Sequence, residues 1–350
     1  MTGGGRRPPR AGWRRRVVGW IDRLPVGRAT VLRAGRAALR TLDRSPATEG
    51  PRRLPQGFTI HPAPRPVKGP WPEPPVIDGA AEIVRRRAAE DGADRPYDID
   101  LFEALNAEYA SKPVVEQAVG FDEASLTERA EGRLERVHRS IDLAGRRVLE
   151  FGCGTGFEVW LLSHHLGADA YGVDISERRA WADLADDRTH FVQADIAEDR
   201  PFAADFFERI ISFSVFEHVT HPHASMAELY RILGRGGLAW ISANLYRGPL
   251  ASHRYREVFF PYPHLLFEDE VFREFYRRRG LPERAASWVN RLSWADYEGM
   301  FERVGFRIRS VRFSERPLDE AFYRRYEPVL GRYPRWDLTR DFFHVVVEKP

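Results

Sequence analysis

The chain has 350 residues, 43% of them hydrophobic and 12% aromatic, which is enough apolar material for a sizeable packed core. Its single cysteine, Cys153, excludes an intrachain disulfide and a multi-cysteine metal site. No apolar run reaches the roughly 18 residues that a membrane span needs, and the N-terminus lacks a signal-peptide core, so we expect a cytoplasmic protein.

The net charge of +3 conceals a strong asymmetry. Residues 1–75 carry 16 Lys/Arg against 4 Asp/Glu, a net charge of +12, whereas the rest of the chain carries −9. The negative charge of residues 76–350 does not favour general affinity of that part of the chain for nucleic acid. For the basic segment three hypotheses stay open: a solvated tail, a contact with nucleic acid or a partner protein, and peripheral contact of residues 1–45 with an anionic membrane at its inner face.

The N-terminal part of the sequence divides into three segments. Residues 1–50 are arginine-rich and form a basic tail that we expect to be disordered or weakly amphipathic. Residues 51–75 contain nine prolines, which predict an extended linker. Residues 76–144 have helical patterning and predict a helical extension, so the catalytic domain is expected over residues 145–350.

From residue 147 onward, short β-rich segments alternate with helical ones. This alternation predicts a Rossmann-like α/β fold, with a seven-stranded, mostly parallel sheet, helices on both faces and an antiparallel C-terminal edge strand. A less regular insert at residues 246–291 is expected on the substrate side. The strands are expected at residues 147–151, 170–173, 190–193, 209–213, 238–243, 306–313 and 342–348, and the clearest helices at 157–166, 177–185, 224–233 and 294–304.

The first predicted strand runs into the glycine-rich turn Gly152-Cys153-Gly154-Thr155-Gly156, which a helix follows. Glycines let the backbone turn tightly and approach a ligand closely, and a helix N-terminus suits an anionic or carboxylate group. The second strand ends at Asp174, eighteen residues after Gly156, where a carboxylate can accept hydrogen bonds from both ribose hydroxyls. The third strand leads to Asp195, which is placed to accept a hydrogen bond from an adenine amine.

These motifs resemble those of the class I S-adenosylmethionine-dependent methyltransferases, in particular the bacterial small-molecule and glycan type, over roughly residues 145–245. That family uses the glycine loop for the methionine portion, the acidic residue after the second strand for ribose and the residue after the third strand for adenine. The resemblance therefore implies S-adenosyl-L-methionine as the cofactor. The residues implied are Glu150, Gly152, Gly154, Thr155 and Gly156 at the loop, Asp174 and Ile175 at the ribose, Asp195 and Ile196 at the adenine, and Phe213 and Ser214 at the methionine amine.

A nicotinamide-dependent dehydrogenase begins with the same strand, glycine turn and helix. Its fingerprint requires the third glycine one position later, where this chain has Phe157. The methyltransferase interpretation is therefore favoured over the dehydrogenase.

Methyl transfer from a sulfonium is an in-line displacement, and a neutral hydroxyl acceptor must also lose its proton, usually to a histidine. The candidates are His218, after the fourth strand, and His253 and His264, in the insert.

The aromatic run at residues 259–267 predicts either a substrate lid or a packed connector, and its Pro-aromatic-Pro-His-Leu segment resembles one in bacterial methyltransferases of cell-surface glycan or secondary-metabolite pathways. We expect an O-methyltransferase with a small-molecule or glycan acceptor of such a pathway; the alternative is an inactive, cofactor-binding regulatory or assembly protein.

Three further possibilities are disfavoured by residues that the chain lacks. Glu217-His218 resembles the end of the Glu-x-x-Glu-His pattern that can hold a divalent metal in quinone-ring O-methyltransferases, but Ser214 stands at its first position, so no metal is predicted. Cytosine C5 methylation needs a cysteine nucleophile, and Cys153 lies inside the glycine loop. Base-amine methyltransferases carry a polar residue, two prolines and an aromatic where this chain has Ser214-Val215-Phe216-Glu217, so no nucleic acid is expected at the catalytic domain.

Overall fold

The computed structural model describes residues 95–116, 123–287 and 289–350, without the side chains of residues 123–126. The predicted basic tail, the proline-rich linker and the first part of the helical extension lie outside the described residues. None of the helices within these ranges is both long enough and apolar enough to cross a bilayer.

Seven strands form one mixed sheet within the described ranges. They are β1 (Arg147–Phe151), β2 (Asp169–Asp174), β3 (Thr189–Gln193), β4 (Phe207–Phe213), β5 (Leu233–Asn244), β6 (Arg307–Glu315) and β7 (Arg340–Glu348). Their order is β3-β2-β1-β4-β5-β7-β6. Strands β1 to β5 are parallel, and β7 runs antiparallel to both of its neighbours, β5 and β6.

The predicted fold is confirmed: the sheet is mostly parallel and its C-terminal strand is antiparallel. Strand β7 lies second from the edge, and β6 forms the edge itself. In β7, Val345 and Val347 are fully buried, whereas most residues of β6 are exposed. An apolar strand suits an inner position and a charged one suits an edge, which explains the order of this hairpin.

The helices are α1 (Ile99–Glu108), α2 (Glu123–Ile141), α3 (Phe157–Leu166), α4 (Ala180–Leu184), α5 (Pro222–Ile232), α6 (Pro263–Leu266), α7 (Asp269–Arg278), α8 (Trp294–Val304), α9 (Glu320–Arg325), α10 (Glu327–Leu330) and α11 (Arg335–Leu338). The four helices predicted between or beside the strands are present, with ends shifted by up to three residues. The insert is more regular than expected, since it contains α6 and α7, and the helices between β6 and β7 were not predicted.

Helices cover both faces of the sheet, and successive side chains of β1 contact the helices on opposite faces. Leu149 and Phe151 join a core with α5 and α8 on one face. Val148, which points the opposite way, joins a core with α2 and α3 on the other face. All five residues of β1 are buried, as expected for a strand that is covered on both faces, and Val148, Leu149 and Phe151 supply its apolar contacts.

A third core lies beyond the sheet and is built largely from aromatic side chains. Phe102 of α1 is its centre, with ring centroids of Phe260, Phe267, Phe272 and Phe275 between 4.7 and 5.2 Å away. Side chains from α9, α10 and α11 complete it. We call α1, α6, α7 and α9 to α11 the aromatic module. Because the run at residues 259–267 is mostly buried in this module, it is a packed connector in this structure.

Candidate active site

The glycine loop lies at the carboxyl end of β1, between β2 and β4. Gly152 has φ 75°, and a Cβ on it would stand 2.2 Å from Cγ2 of Val215, just after β4. Gly156 has φ 82°, and its Cβ would stand 2.3 Å from the ring of Phe191 in β3. Side chains at these two positions would therefore prevent the loop from closing against its neighbours. At Gly154 a Cβ would meet nothing within 4 Å, so the loop is open there.

Asp174 connects the end of β2 to this loop. Its Oδ2 accepts a hydrogen bond from the Gly154 backbone N–H at 3.0 Å, and its Oδ1 accepts one from Ser176 N–H at 3.0 Å. Trp181 fixes the other side of the loop, because its indole N–H donates to the Gly154 carbonyl at 2.9 Å. Ile175, beside Asp174, is 70% exposed, which is unusual for a large apolar side chain. An apolar group is thus presented to solvent next to a fixed carboxylate.

Asp195 and Ile196 follow β3, and the structure orients them differently. Asp195 is half-buried, and its Oδ1 accepts a hydrogen bond from the Ala197 N–H at 2.9 Å. Ile196 is 1% exposed and packs in the core beneath the sheet. Ile196 is therefore enclosed, whereas Asp195 is accessible at this edge of the sheet.

A group of charged side chains lies at the other end of the loop. Glu150 of β1 is 3% exposed, and burial raises the pKa of its carboxyl well above the usual range. The charge of Glu158 raises this pKa further, whereas Arg133 of α2 lowers it. Arg133 Nη1 lies 3.3 Å from Glu158 Oε1, and its guanidinium carbon lies 5.3 Å from the centre of the Phe213 ring. Thr155, also predicted here, is exposed at the tip of the loop.

The chain leaves β4 through a strained turn. Ser214 has φ 57°, a left-handed conformation that is costly for a residue with a side chain, and its N–H donates to the Ser242 carbonyl of β5 at 2.9 Å. Residues Phe216–His218 then form a short 3-10 helix. Phe216 packs on Phe151 with ring centroids 5.3 Å apart. The turn is therefore held against the same end of β1 that carries the glycine loop.

Two of the three predicted histidines lie together at this turn. The rings of His218 and His253 are 5.1 Å apart and nearly perpendicular. Glu217 is 1% exposed beside them, and burial raises the pKa of its carboxyl to about 7. Burial, together with the charges of His218 and Arg254, lowers the pKa of His253 to about 4. The structure thus brings one carboxyl and two imidazoles together.

His264, the third predicted histidine, has a different environment. It is 2% exposed in the aromatic module, and its Nε2–H donates to the Tyr246 carbonyl at 2.6 Å. Burial lowers the pKa of its ring to about 3. The imidazole is therefore a neutral group enclosed by protein, with no exposed surface for an acceptor of any size.

A comparison with known protein families bears directly on this site. Residues 149–241 match the family model described as a methyltransferase domain. They form a class I S-adenosylmethionine-dependent methyltransferase domain. The predicted cofactor of the domain, S-adenosylmethionine, is accordingly the cofactor of this family.

The chain is also similar to individual curated proteins and to a solved structure. The chain is 32% identical over 133 residues to methyltransferase GfsG of Streptomyces halstedii, covering 36% of this chain and 48% of the relative. It is 29% identical to the ubiquinone biosynthesis O-methyltransferase of Dechloromonas aromatica (strain RCB), covering 33% and 52%. A solved methyltransferase from Mesorhizobium loti aligns with a TM-score of 0.41 and 21% identity, covering 63% of this chain and 97% of that one. The chain spans about half the length of the curated relatives it matches.

One buried residue that organises the turn after β4 was not predicted from the sequence. Asn290 Nδ2 donates to the carbonyls of Phe216 and Val219, at 2.6 and 3.3 Å, and its backbone N–H donates to the Glu217 carbonyl at 2.8 Å. It therefore ties the end of the insert to the 3-10 turn. Arg133, which lies outside the matched region, was missed at the cofactor end. Neither residue belongs to a sequence motif, so only the fold identifies them.

Proposed function

We propose that this chain transfers the methyl group of S-adenosylmethionine to a hydroxyl of a small molecule or glycan. The observation that carries the proposal is the proximity of two features at the carboxyl edge of the sheet. One is the cofactor loop around Gly154 and Asp174, and the other is the group formed by Glu217, His218 and His253. Val215 joins them, since it packs on Gly152 and lies two residues before Glu217.

In this proposal Asp174 binds the ribose of the cofactor. A carboxylate has about four acceptor positions, and two of those on Asp174 already accept from the N–H groups of Gly154 and Ser176. The remaining positions accept the two ribose hydroxyls. Ile175 provides an apolar surface for the adenine, and Asp195 accepts a hydrogen bond from the adenine amine, with Ile196 packed in the core beside it.

The methionine portion is assigned to the glycine loop and the end of β4. Glu150 faces the ammonium group, because a nearby cation favours the ionised form of this buried carboxyl. Arg133 is suited to the methionine carboxylate, and Gly152, Thr155 and Gly156 shape the loop around it. The backbone at Phe213 and Ser214 completes this end. The sulfonium methyl then points towards the turn that carries Glu217.

The acceptor hydroxyl is placed at the Glu217 group, beside the imidazole rings of His218 and His253. His218 and His253 are therefore proposed to activate the acceptor oxygen. His264 is proposed to have a structural role, because it is enclosed and hydrogen-bonded to Tyr246. The name of the Dechloromonas relative, an O-methyltransferase of ubiquinone biosynthesis, supports a small hydroxyl-bearing acceptor. The resemblance of the segment around His264 supports a cell-surface polysaccharide or secondary metabolite.

Label transfer tests this proposal. The purified protein is incubated with tritium-labelled methyl S-adenosylmethionine and, separately, with the small-molecule, glycan, RNA and protein fractions of a bacterial lysate. We expect label in the small-molecule or glycan fraction, in a product that resists mild base as an ether does. Label in RNA or protein would contradict the acceptor class. Cofactor binding without transfer to any fraction would favour the alternative, an inactive regulatory or assembly protein.

A further inference from the structure

Three metal-ligating side chains converge on one point beside the acceptor site. Glu217 and His218 come from the 3-10 turn after β4, and His253 comes from the insert, 35 residues later. One ligand atom from each lies within 4.8 Å of the other two. Two separate segments of the chain thus present a carboxylate oxygen and two imidazole nitrogens to a shared space.

Two of these groups have donor atoms that are buried and unpartnered. Glu217 is 1% exposed; among the described residues its carboxylate oxygens make no hydrogen bond of normal geometry, and only the nearby backbone N–H groups of Glu217 and Asn244 favour its charged form. His253 Nε2 is likewise buried without a hydrogen-bond partner in the described part of the chain. Burying polar atoms without partners is unfavourable, so native proteins rarely leave such atoms side by side. A cation between them would satisfy both groups at once.

The backbone around His253 is strained and firmly held. His253 has φ 53°, a left-handed conformation that proteins usually keep only where surrounding contacts enforce it. Its N–H donates to the Leu250 carbonyl at 3.0 Å, and the next residue, Arg254, donates from Nε to the Ala285 carbonyl at 2.7 Å. On the opposite side Asn290 holds the turn that carries Glu217. Both halves of the group are therefore fixed before any ligand arrives.

We infer that Glu217, His218 and His253 together bind one divalent transition-metal ion. Two imidazoles and one carboxylate suit zinc or a neighbouring first-row metal, and three protein ligands leave a coordination position open. Ligand atoms of a tetrahedral ion with bonds of about 2.1 Å lie roughly 3.4 Å apart, a spacing that small side-chain rotations can reach from atoms within 4.8 Å of one another. The sequence predicted no metal because Ser214 lacks a carboxylate. The third ligand comes instead from His253, which no local motif includes.

The ion would deepen the proposed function, and this part of the inference rests on the acceptor lying at the Glu217 group. An acceptor hydroxyl bound to the open position becomes more acidic and releases its proton to solvent. Its oxygen then attacks the methyl carbon: the new O–C bond forms, the S–C bond breaks, and its electron pair stays on sulfur, which becomes a neutral thioether. In this scheme His218 and His253 hold the ion as neutral ligands.

Metal binding can be measured without any acceptor. Full-length protein prepared without a polyhistidine tag is stripped with a chelator and titrated with Zn²⁺ by calorimetry, and with Co²⁺ by visible absorption. The variants are Glu217→Gln and His253→Ala, with His221→Ala as the control, since His221 is exposed and near the turn but outside the group. Melting temperatures establish that each variant is folded.

We expect one tight ion per chain and a tetrahedral-type Co²⁺ spectrum. Removal of second-shell partners in metal sites costs about 10–100-fold in affinity, so loss of a ligand in Glu217→Gln or His253→Ala should cost at least that much, whereas His221→Ala should bind as the wild type does. Absence of stoichiometric binding, or equal binding by all variants, would overturn the inference. Binding of S-adenosylhomocysteine by metal-free protein is measured in parallel, so that failure of the metal site is distinguished from failure of the cofactor site.

Discussion

At the scale of single residues, His264 shows how the fold keeps an ionisable group neutral. Burial lowers the pKa of this imidazole from 6.5 to about 3, and the charges of Arg95, His253 and Arg291 act in the same direction. Its Nε2–H donates to the Tyr246 carbonyl. Through this hydrogen bond the neutral ring of His264 links the aromatic module to the end of β5. Protonation of the ring would oppose folding.

This state predicts a loss of stability in acid. Because the pKa of His264 is lower in the folded chain than in the unfolded chain, the unfolded chain takes up the proton first as the pH falls. The contribution of the neutral ring to the free energy of unfolding is complete above about pH 6.5. It is lost between about pH 6.5 and pH 3, by about 1.4 kcal/mol per pH unit. Between about pH 6.5 and about pH 5 the wild type should lose roughly 2 kcal/mol more than His264→Gln. Urea unfolding at both pH values measures this difference, with His221→Gln as the exposed control. Parallel losses in wild type and His264→Gln would contradict the assignment.

At the scale of elements, the 3-10 turn at Phe216–His218 depends on a residue from a distant part of the chain. Replacing Asn290 by alanine removes the donors to the carbonyls of Phe216 and Val219 and leaves them buried. We expect a loss of about 1–3 kcal/mol in the free energy of unfolding, together with a marked fall in methyl transfer and little change in cofactor affinity.

A matched control exists for this variant. Asn106 of α1 is also a buried asparagine, and it donates to the Glu257 carbonyl at 3.0 Å and accepts from Phe259 N–H at 2.8 Å in the aromatic module. Asn106→Ala should lose comparable stability while keeping methyl transfer near normal. If the two variants lose methyl transfer equally, Asn290 acts through general stability and does not position the turn.

The sheet and the cofactor loop could be predicted from the sequence because their signals are local. The apolar residues of β1, the glycines that follow it and Asp174 at the end of β2 lie within about thirty residues and in a fixed order. The glycine positions also have a steric cause, since Gly152 and Gly156 meet Val215 and Phe191 at distances that exclude a side chain.

The parts that the sequence did not predict depend on contacts between distant segments. Helices α9 to α11 have four to six residues each, too few for a helical period to be visible. They are helical because Phe322 and Leu330 pack in the same core as Phe102 and Phe267. In the same way, the position of His253 beside Glu217 follows from the path of the insert.

At the scale of the whole molecule, charge separates along the chain. Residues 1–75 carry a net charge of +12 and lie outside the described residues, whereas the part from 76 onward carries −9. The proline-rich composition of residues 51–75 supports the proposal that the segment before it is independent of the catalytic domain. We therefore expect a truncated chain that begins at Val76 to fold and to bind S-adenosylhomocysteine as the full-length chain does. An insoluble or non-binding truncated chain would place the tail within the fold.

The same pair of proteins tests the membrane hypothesis for residues 1–45. Arginines and Trp13 and Trp20 in this segment are suited to an anionic lipid surface. The full-length chain should sediment with phosphatidylserine-containing vesicles at low salt and release at high salt, and the truncated chain should stay in the supernatant. Equal behaviour of the two proteins would exclude a role for the tail in lipid binding.

The loop around Gly154 and Asp174 is proposed to bind S-adenosylmethionine, and calorimetry with S-adenosylhomocysteine tests this proposal. The wild type should bind one molecule per chain. Asp174→Ala should weaken binding by about 1.5–3 kcal/mol, roughly ten- to a hundredfold, because the ribose loses a charged acceptor. Asp183→Ala, at an exposed carboxylate on the neighbouring helix α4, should bind as the wild type does. Unchanged affinity in Asp174→Ala, or wild-type protein that binds a nicotinamide dinucleotide and not S-adenosylhomocysteine, would contradict the account.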